Sequence, residues 1–308
     1  MTPISAPEQA PSATRHTTRL KELIAAPEIL LLPGVADAIN ARLVAAEGFQ
    51  AIYMTGAGTT ASRLGMPDVG LLTMGEMVDN AARIADASGL PLLADADTGY
   101  GGPLNVQRTI RAYERAGVAG VHIEDQVWPK RCGHLAGKAV IPAAEMVAKI
   151  KAACDARVDA DFQIVARTDV IAVEGWQAGL DRAAMFAEAG ADVLFVEAMT
   201  TMDQLAAAPK LFDRPLLYNM ASSGKTPFLT RDAMQDLGYA CCIYPNFVVL
   251  AAIPAVRALL RHLHETGDIA AVADKVASFR EFFDLMGMDE VKAAEARYTT
   301  DDGHRVDY

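Results

Sequence analysis

The chain has 308 residues, of which 52% are hydrophobic and 22% charged. That balance excludes a disordered chain and allows a sizeable core. The net charge of −11, with no Lys/Arg stripe, argues against nucleic acid or an anionic membrane as partner. An acidic substrate would then need a local positive site or a metal. Cys132, Cys154, Cys241 and Cys242 contain no CxxC pair, and the start lacks the apolar core of a signal peptide. Both features predict a reduced, cytoplasmic protein.

Residues 1–18 are rich in Pro, Ser, Thr and Ala without periodicity and are expected to form a flexible arm. From residue 19 the chain alternates. Apolar runs at 29–37, 51–56, 90–97, 120–126, 162–169, 193–198, 215–220 and 241–245 read as strands buried on both faces. Between and after them, 38–49, 74–88, 104–117, 143–157, 176–190, 202–212, 231–238 and 247–267 carry apolar residues at helical spacing. This alternation predicts one (β/α)8 barrel over 19–297, with at least one extra helix around 275–286 and a tail at 298–308. The stretch 237–256 has no charged residue, but Gly238, Pro245, Asn246 and Pro254 interrupt it. It is expected to be a buried strand followed by a buried helix rather than a membrane span.

Polar residues end the runs: Asp37, Thr55, Asp95, Asp97, Glu124, Asp125, Arg167, Asp169, Glu197 and Asn219. A barrel gathers such ends on its catalytic rim. Two nucleotide-binding patterns fail. The glycine fingerprint at 56–61 needs a long helix, for which Gly65 and Pro67 come too soon, and Gly224-Lys225-Thr226 has Asn219 where a P-loop has its first glycine. Asp95 and Asp97, two apart on a strand, are expected on one face. Two close carboxylates need a cation. Hard oxygen donors without a nearby His pair point to Mg2+ or Mn2+, with Glu124 joining through water. The alternative is a salt bridge from Asp95 and a helix cap from Asp97. After strand four, 126–134 opens a long connection suited to a lid. Its Cys132 lies among Lys130, Arg131 and His134, which favour the thiolate. Arg167 can clamp a substrate carboxylate or pair with Asp169 or Glu197.

DADTGYGG (95–102), IEDQVWPKRCGHLAGK (123–138), ARTD (166–169) and NMASSGKTP (219–227) together resemble the isocitrate lyase/phosphoenolpyruvate mutase superfamily. The KRCGH element is similar to its carbon–carbon lyase branch, which includes 2-methylisocitrate lyase, 2,3-dimethylmalate lyase and petal death protein. The resemblance implies Mg2+ on Asp95 and Asp97 with Glu124 in its outer shell, and Asp68 near the metal. It implies substrate binding by Tyr53, Thr55, Gly56, Ala57, Asp97, Gly133, His134, Arg167, Glu197 and Asn219. It gives Cys132 the catalytic role and implies a homo-oligomer, dimer or tetramer, that exchanges its eighth helix. The implied reaction cleaves a C–C bond of a substituted malate or 2-methylisocitrate-type acid through an enolate. Oxaloacetate hydrolysis or decarboxylation, carboxyphosphonoenolpyruvate mutase-type chemistry and a non-enzymatic binding barrel are the alternatives. Ser222 stands where the nearest patterns have a glutamate.

Overall fold

The computed structural model describes residues 14–131 and 137–298. Every strand lies inside an expected run: β1 (Leu30–Val35), β2 (Ile52–Met54), β3 (Leu92–Asp95), β4 (Gly120–Glu124), β5 (Gln163–Thr168), β6 (Val193–Val196), β7 (Leu217–Asn219) and β8 (Cys241–Tyr244). They form one parallel sheet in the order β6-β5-β4-β3-β2-β1-β8-β7. A parallel bridge from Leu194 to Leu216 joins its two ends. The sheet is therefore a closed (β/α)8 barrel.

Around it run α1 (His16–Ala25), α2 (Ala38–Ala46), α3 (Gly56–Leu64), α4 (Met74–Ser88), α5 (Pro103–Arg115), α6 (Ala143–Ala156), α7 (Ile171–Glu174), α8 (Trp176–Glu188), α9 (Met202–Ala207), α10 (Arg231–Leu237), α11 (Phe247–Thr266), α12 (Phe279–Leu285) and α13 (Met288–Tyr298). Strand side chains alternate between two cores. Ile52, Met54, Leu92, Val121, Ile164 and Leu194 pack outward with helix residues. Leu32, Tyr53, Leu93, Val165, Phe195, Leu217 and Ile243 fill the lumen. Leu20, Leu23 and Ile24 of α1 belong to that second cluster, so α1 closes the N-terminal mouth of the barrel.

Four expectations change. The arm expected over 1–18 is folded at its end: α1 starts at His16, and the Thr17 and Thr18 hydroxyls donate to Asp159 and Asp161. A nine-residue helix does open at Gly56, and Gly65 stops it as a left-handed cap at φ 63°. Its first amide, Gly56 N–H, donates to Asp95 Oδ2 at 3.2 Å, so a side-chain carboxylate takes the anion position at this helix start. The helix expected over 202–212 splits into α9 and a 3-10 turn at Ala208–Lys210, where Pro209 interrupts the α-helical bonding. Finally, α11 is not buried: none of its 20 residues is fully buried within the chain, and Val248, Val249, Leu259 and His262 are half-buried. By length and apolarity alone it could cross a membrane.

Candidate active site

The lumen alternation carries straight into the site. Two residues beyond Leu93, His122, Val165, Phe195 and Leu217 stand Asp95, Glu124, Arg167, Glu197 and Asn219, all on the inward parity. A cavity of about 160 Å3 lies over these ends. Tyr53, Asp95, Glu124, Arg167 and Asn219 form its floor. Ala57 reaches it from the start of α3, and Thr55, Asp68, Lys130, Arg131, Ser222 and Ser223 from loops.

Asp95 and Asp97 come together, but not by sharing a strand face. β3 ends at Asp95, and Asp97 turns into the left-handed region at φ 47°. Its amide N–H donates back to Asp95 Oδ1 at 2.9 Å. A second oxygen of Asp95 is held by Gly56, where any Cβ would collide with that carboxylate. Burial pushes the Asp97 carboxyl up to about 6; Lys130 lowers it, while Asp95 and Asp68 raise it. Lys130 is the cation of this corner. Its Nζ lies 2.6 Å from Asp68 Oδ2 and 2.8 Å from Asp97 Oδ1, with 3% of the residue exposed. The charge at 130 is visible in the sequence, but its insertion between two aspartates is not.

On the other side Arg167 grips Asp169 through Nε at 2.9 Å and Nη2 at 3.1 Å. Its Nη1 is 3.3 Å from Glu124 Oε2. The pairing with Asp169 weighed for this arginine is therefore present, and Arg167 still lines the cavity. Lys138 adds a contact to Asp169 at 2.8 Å. Burial works to raise Asp169, but Arg167 and Lys138 outweigh it and hold the carboxyl near 2. Burial raises Glu124 well above the usual range, against the pull of Arg167. Asn219 Nδ2 donates to Glu197 Oε2 at 2.9 Å.

The remaining rim residues divide by task. Thr55 caps α3 and donates to Asn246 Oδ1 at 2.9 Å. Asp37 caps α2. Asp125 binds Thr168, the Asp169 amide and Arg182, which ties β4 to β5 and α8. His122 escaped the sequence reading. Its Nε2 meets Tyr53 OH at 2.8 Å beneath the cavity, and burial lowers its pKa to about 4, leaving a neutral ring. Its position on the inward parity of β4 is the one signal that could have found it. Cys132, Gly133 and His134 lie outside the described residues.

Among the described residues no three His, Cys, Asp or Glu side chains form a ready-made metal cluster. The donor chemistry nevertheless fits Mg2+, which takes one or two carboxylates and keeps several waters. Asp95 and Asp97 supply the carboxylates. Glu124 Oε1 is buried without a hydrogen-bond partner among the described residues, as a carboxylate that receives a metal-bound water would be.

A model of the phosphoenolpyruvate phosphomutase family matches residues 20–264. The chain belongs to the phosphoenolpyruvate mutase/isocitrate lyase superfamily. It is 43% identical to 2,3-dimethylmalate lyase of Eubacterium barkeri, over 92% of this chain and 98% of that one. It is 43% identical to 2-methylisocitrate lyase of Aeropyrum pernix, over 90% of this chain and 89% of the other. Among solved structures, oxaloacetate acetylhydrolase in complex with 3,3-difluorooxalacetate superposes with a TM-score of 0.87 at 38% identity, covering 92% of this chain and 96% of that one.

Proposed function

We propose that the protein is a Mg2+-dependent carbon–carbon lyase that cleaves a substituted malate or a 2-methylisocitrate-type acid. The observation that carries this reading is the Asp95–Asp97 corner, two buried carboxylates offset by a loop cation, on a superfamily barrel with lyase relatives. Asp95 and Asp97 would hold Mg2+, with Glu124 in the outer shell. The ion would supply a Lewis-acidic charge beside the substrate's carboxylate and 2-oxygen. Mn2+ would fit the same oxygen donors.

The chain's own groups do the rest. Arg167 keeps N–H donors beyond those given to Asp169 and Glu124, and these face a substrate carboxylate. Ala57, at the start of α3, offers a backbone amide in the cavity, with Thr55 and Tyr53 beside it. Asn219 Oδ1 is buried without a hydrogen-bond partner among the described residues, and can accept from a substrate hydroxyl. A base takes the proton of that hydroxyl as the C–C bond breaks, and the bond's electron pair passes to the departing enolate. Cys132 then protonates the enolate carbon, with Gly133 and His134 as substrate-binding neighbours.

Cys132→Ser tests the acid role. It should keep substrate binding and lose about 10²–10⁴-fold in turnover. Retention of more than about a tenth of wild-type turnover removes the thiol from the mechanism. EDTA should abolish turnover, and Mg2+ should raise the melting temperature of the metal-free protein.

One observation favours a second reading. The wall after β7 is Ser222 and Ser223, with no carboxylate of its own, and it faces a cavity of only about 160 Å3. A smaller substrate, oxaloacetate cleaved by water, suits that wall. Oxygen-18 from water would enter the product carboxylate in hydrolysis and not in lyase cleavage.

The same reading covers assembly and location. The apolar stripe of half-buried Val249 and exposed Ile253, Val256 and Leu260 on α11 supports helix exchange in a dimer or tetramer. Light scattering that gives a monomer at micromolar concentration would overturn it. Free Cys154, Cys241 and Cys242 support a cytoplasmic protein.

A further inference from the structure

A second cavity, about 470 Å3, lies behind the strap of residues 128–131. Leu72, Met74, Tyr100 and Trp128 give it apolar walls. Among the described residues that line it, the one cation is Lys149 of α6, 4% exposed. Its Nζ donates to the Thr98 carbonyl at 3.2 Å, which uses one of three ammonium N–H groups.

Lys149 stands apart from the other buried cations. Lys130 pairs with Asp68 and Asp97, Arg167 with Asp169 and Glu124, and Arg182 with Asp125. Among the described residues no carboxylate lies within ion-pair distance of Lys149. Burial lowers its pKa, and the more distant Glu145 and Asp125 offset this only in part. A buried charge with one neutral acceptor is costly, and an anion entering the cavity would relieve it. Glu145 is exposed on the cavity's edge, one helical turn from Lys149. Its charge disfavours a ligand with a second carboxylate.

We propose that this cavity binds a monocarboxylate with a short apolar body, its carboxylate on Lys149 and its chain against Leu72, Met74 and Trp128. The site is separate from the catalytic cavity: the two share no lining residue, Trp128 lining this one and Lys130 and Arg131 the other. Gln126 lines the second cavity and brackets Arg131: its Nε2 donates to Arg131 O, and Arg131 N–H donates to its Oε1, both at 2.9 Å. A ligand here therefore touches the residues that carry Lys130 and Arg131 into the active site.

The chain has two tryptophans, so Trp176→Phe leaves Trp128 as the sole indole reporter. In that background hexanoate is titrated with Mg2+ and saturating oxalate present, the oxalate occupying the catalytic cavity. The expected result is a saturable change in Trp128 emission, weaker binding of acetate and adipate, and none of hexylamine. Lys149→Met should weaken hexanoate at least about tenfold, equivalent to 1.4 kcal/mol. Leu71→Glu, at an exposed lining position, should weaken it without touching the buried lysine. It carries the test if Lys149→Met does not fold. The proposal is overturned if hexanoate gives no saturable signal, if oxalate displaces it, or if a folded variant binds it as the parent does.

Discussion

β3 and β5 each present two charged residues at i and i+2, and they solve the charge problem in opposite ways. Arg167 and Asp169 have opposite signs and neutralise each other in direct contact, with Asp169 held near 2. Asp95 and Asp97 have the same sign. Burial pushes Asp97 up to about 6, and the cation that offsets it, Lys130, arrives on a loop. Asp169 is held by Arg167 and by Lys138, so its charge is met by side chains already in place. A like-charged pair is stable only with a cation from elsewhere, and a loop lysine can be exchanged for a metal. The difference separates a buried charge already met by opposite charges from a corner that leaves room for an added cation.

The largest expected effect breaks the comparison most directly. Asp97→Ala should abolish Mg2+-dependent turnover and remove the Mg2+-induced rise in melting temperature. The metal-free variant should melt no lower than the wild type, because the residue taken away is one of two repelling carboxylates. Near-normal turnover would show that the β3 pair is not the metal site.

The β5 pair should answer in the other currency. Arg167→Met leaves Glu124 buried without its cation and Asp169 with Lys138 alone, which costs about 3–5 kcal/mol. Urea unfolding would measure it. Asp97→Asn should not lose stability at pH 7 and can gain up to about 3 kcal/mol, because the neutral amide replaces a carboxylate whose pKa is raised to about 6. Equal losses in the two variants would erase the distinction between the two pairs.

Much of this contrast is legible without coordinates, and the limits are physical. A strand has period two and a barrel brings its C-terminal ends together, so Asp95, Glu124, Arg167, Glu197 and Asn219 read as one rim. Asp97 breaks the rule because the chain leaves the strand after Asp95 and enters a left-handed turn, which no local pattern announces. Lys130 reads only as a positive neighbour of Cys132. Its contact with Asp68 crosses 62 residues, and such pairings have no signature in spacing. The burial of α11 is overcalled for a related reason. Apolarity reports that a helix will be covered, not whether its own chain does the covering.

The smallest effect is the most discriminating, because it depends on sign. Asp169 has a folded pKa near 2 against an unfolded value of about 3.9. Its contribution is therefore fully present above the unfolded value and is lost as pH falls toward 2. Between pH 5 and pH 3 that contribution should shrink by about 1 kcal/mol. Asp97 is shifted the other way, to about 6, so the folded protein holds its proton more tightly than the unfolded chain. Its contribution falls as pH rises from 4 through 6. The measurement is urea unfolding in EDTA across that range for the wild type, Asp169→Asn and Asp97→Asn. The stability lost on replacing Asp169 should grow with pH. The stability lost on replacing Asp97 should decline and can turn into a gain. Slopes of the same sign would mean that both strand ends carry charge pairs of one kind, and the like-charged corner would lose its claim to be the place where a metal belongs.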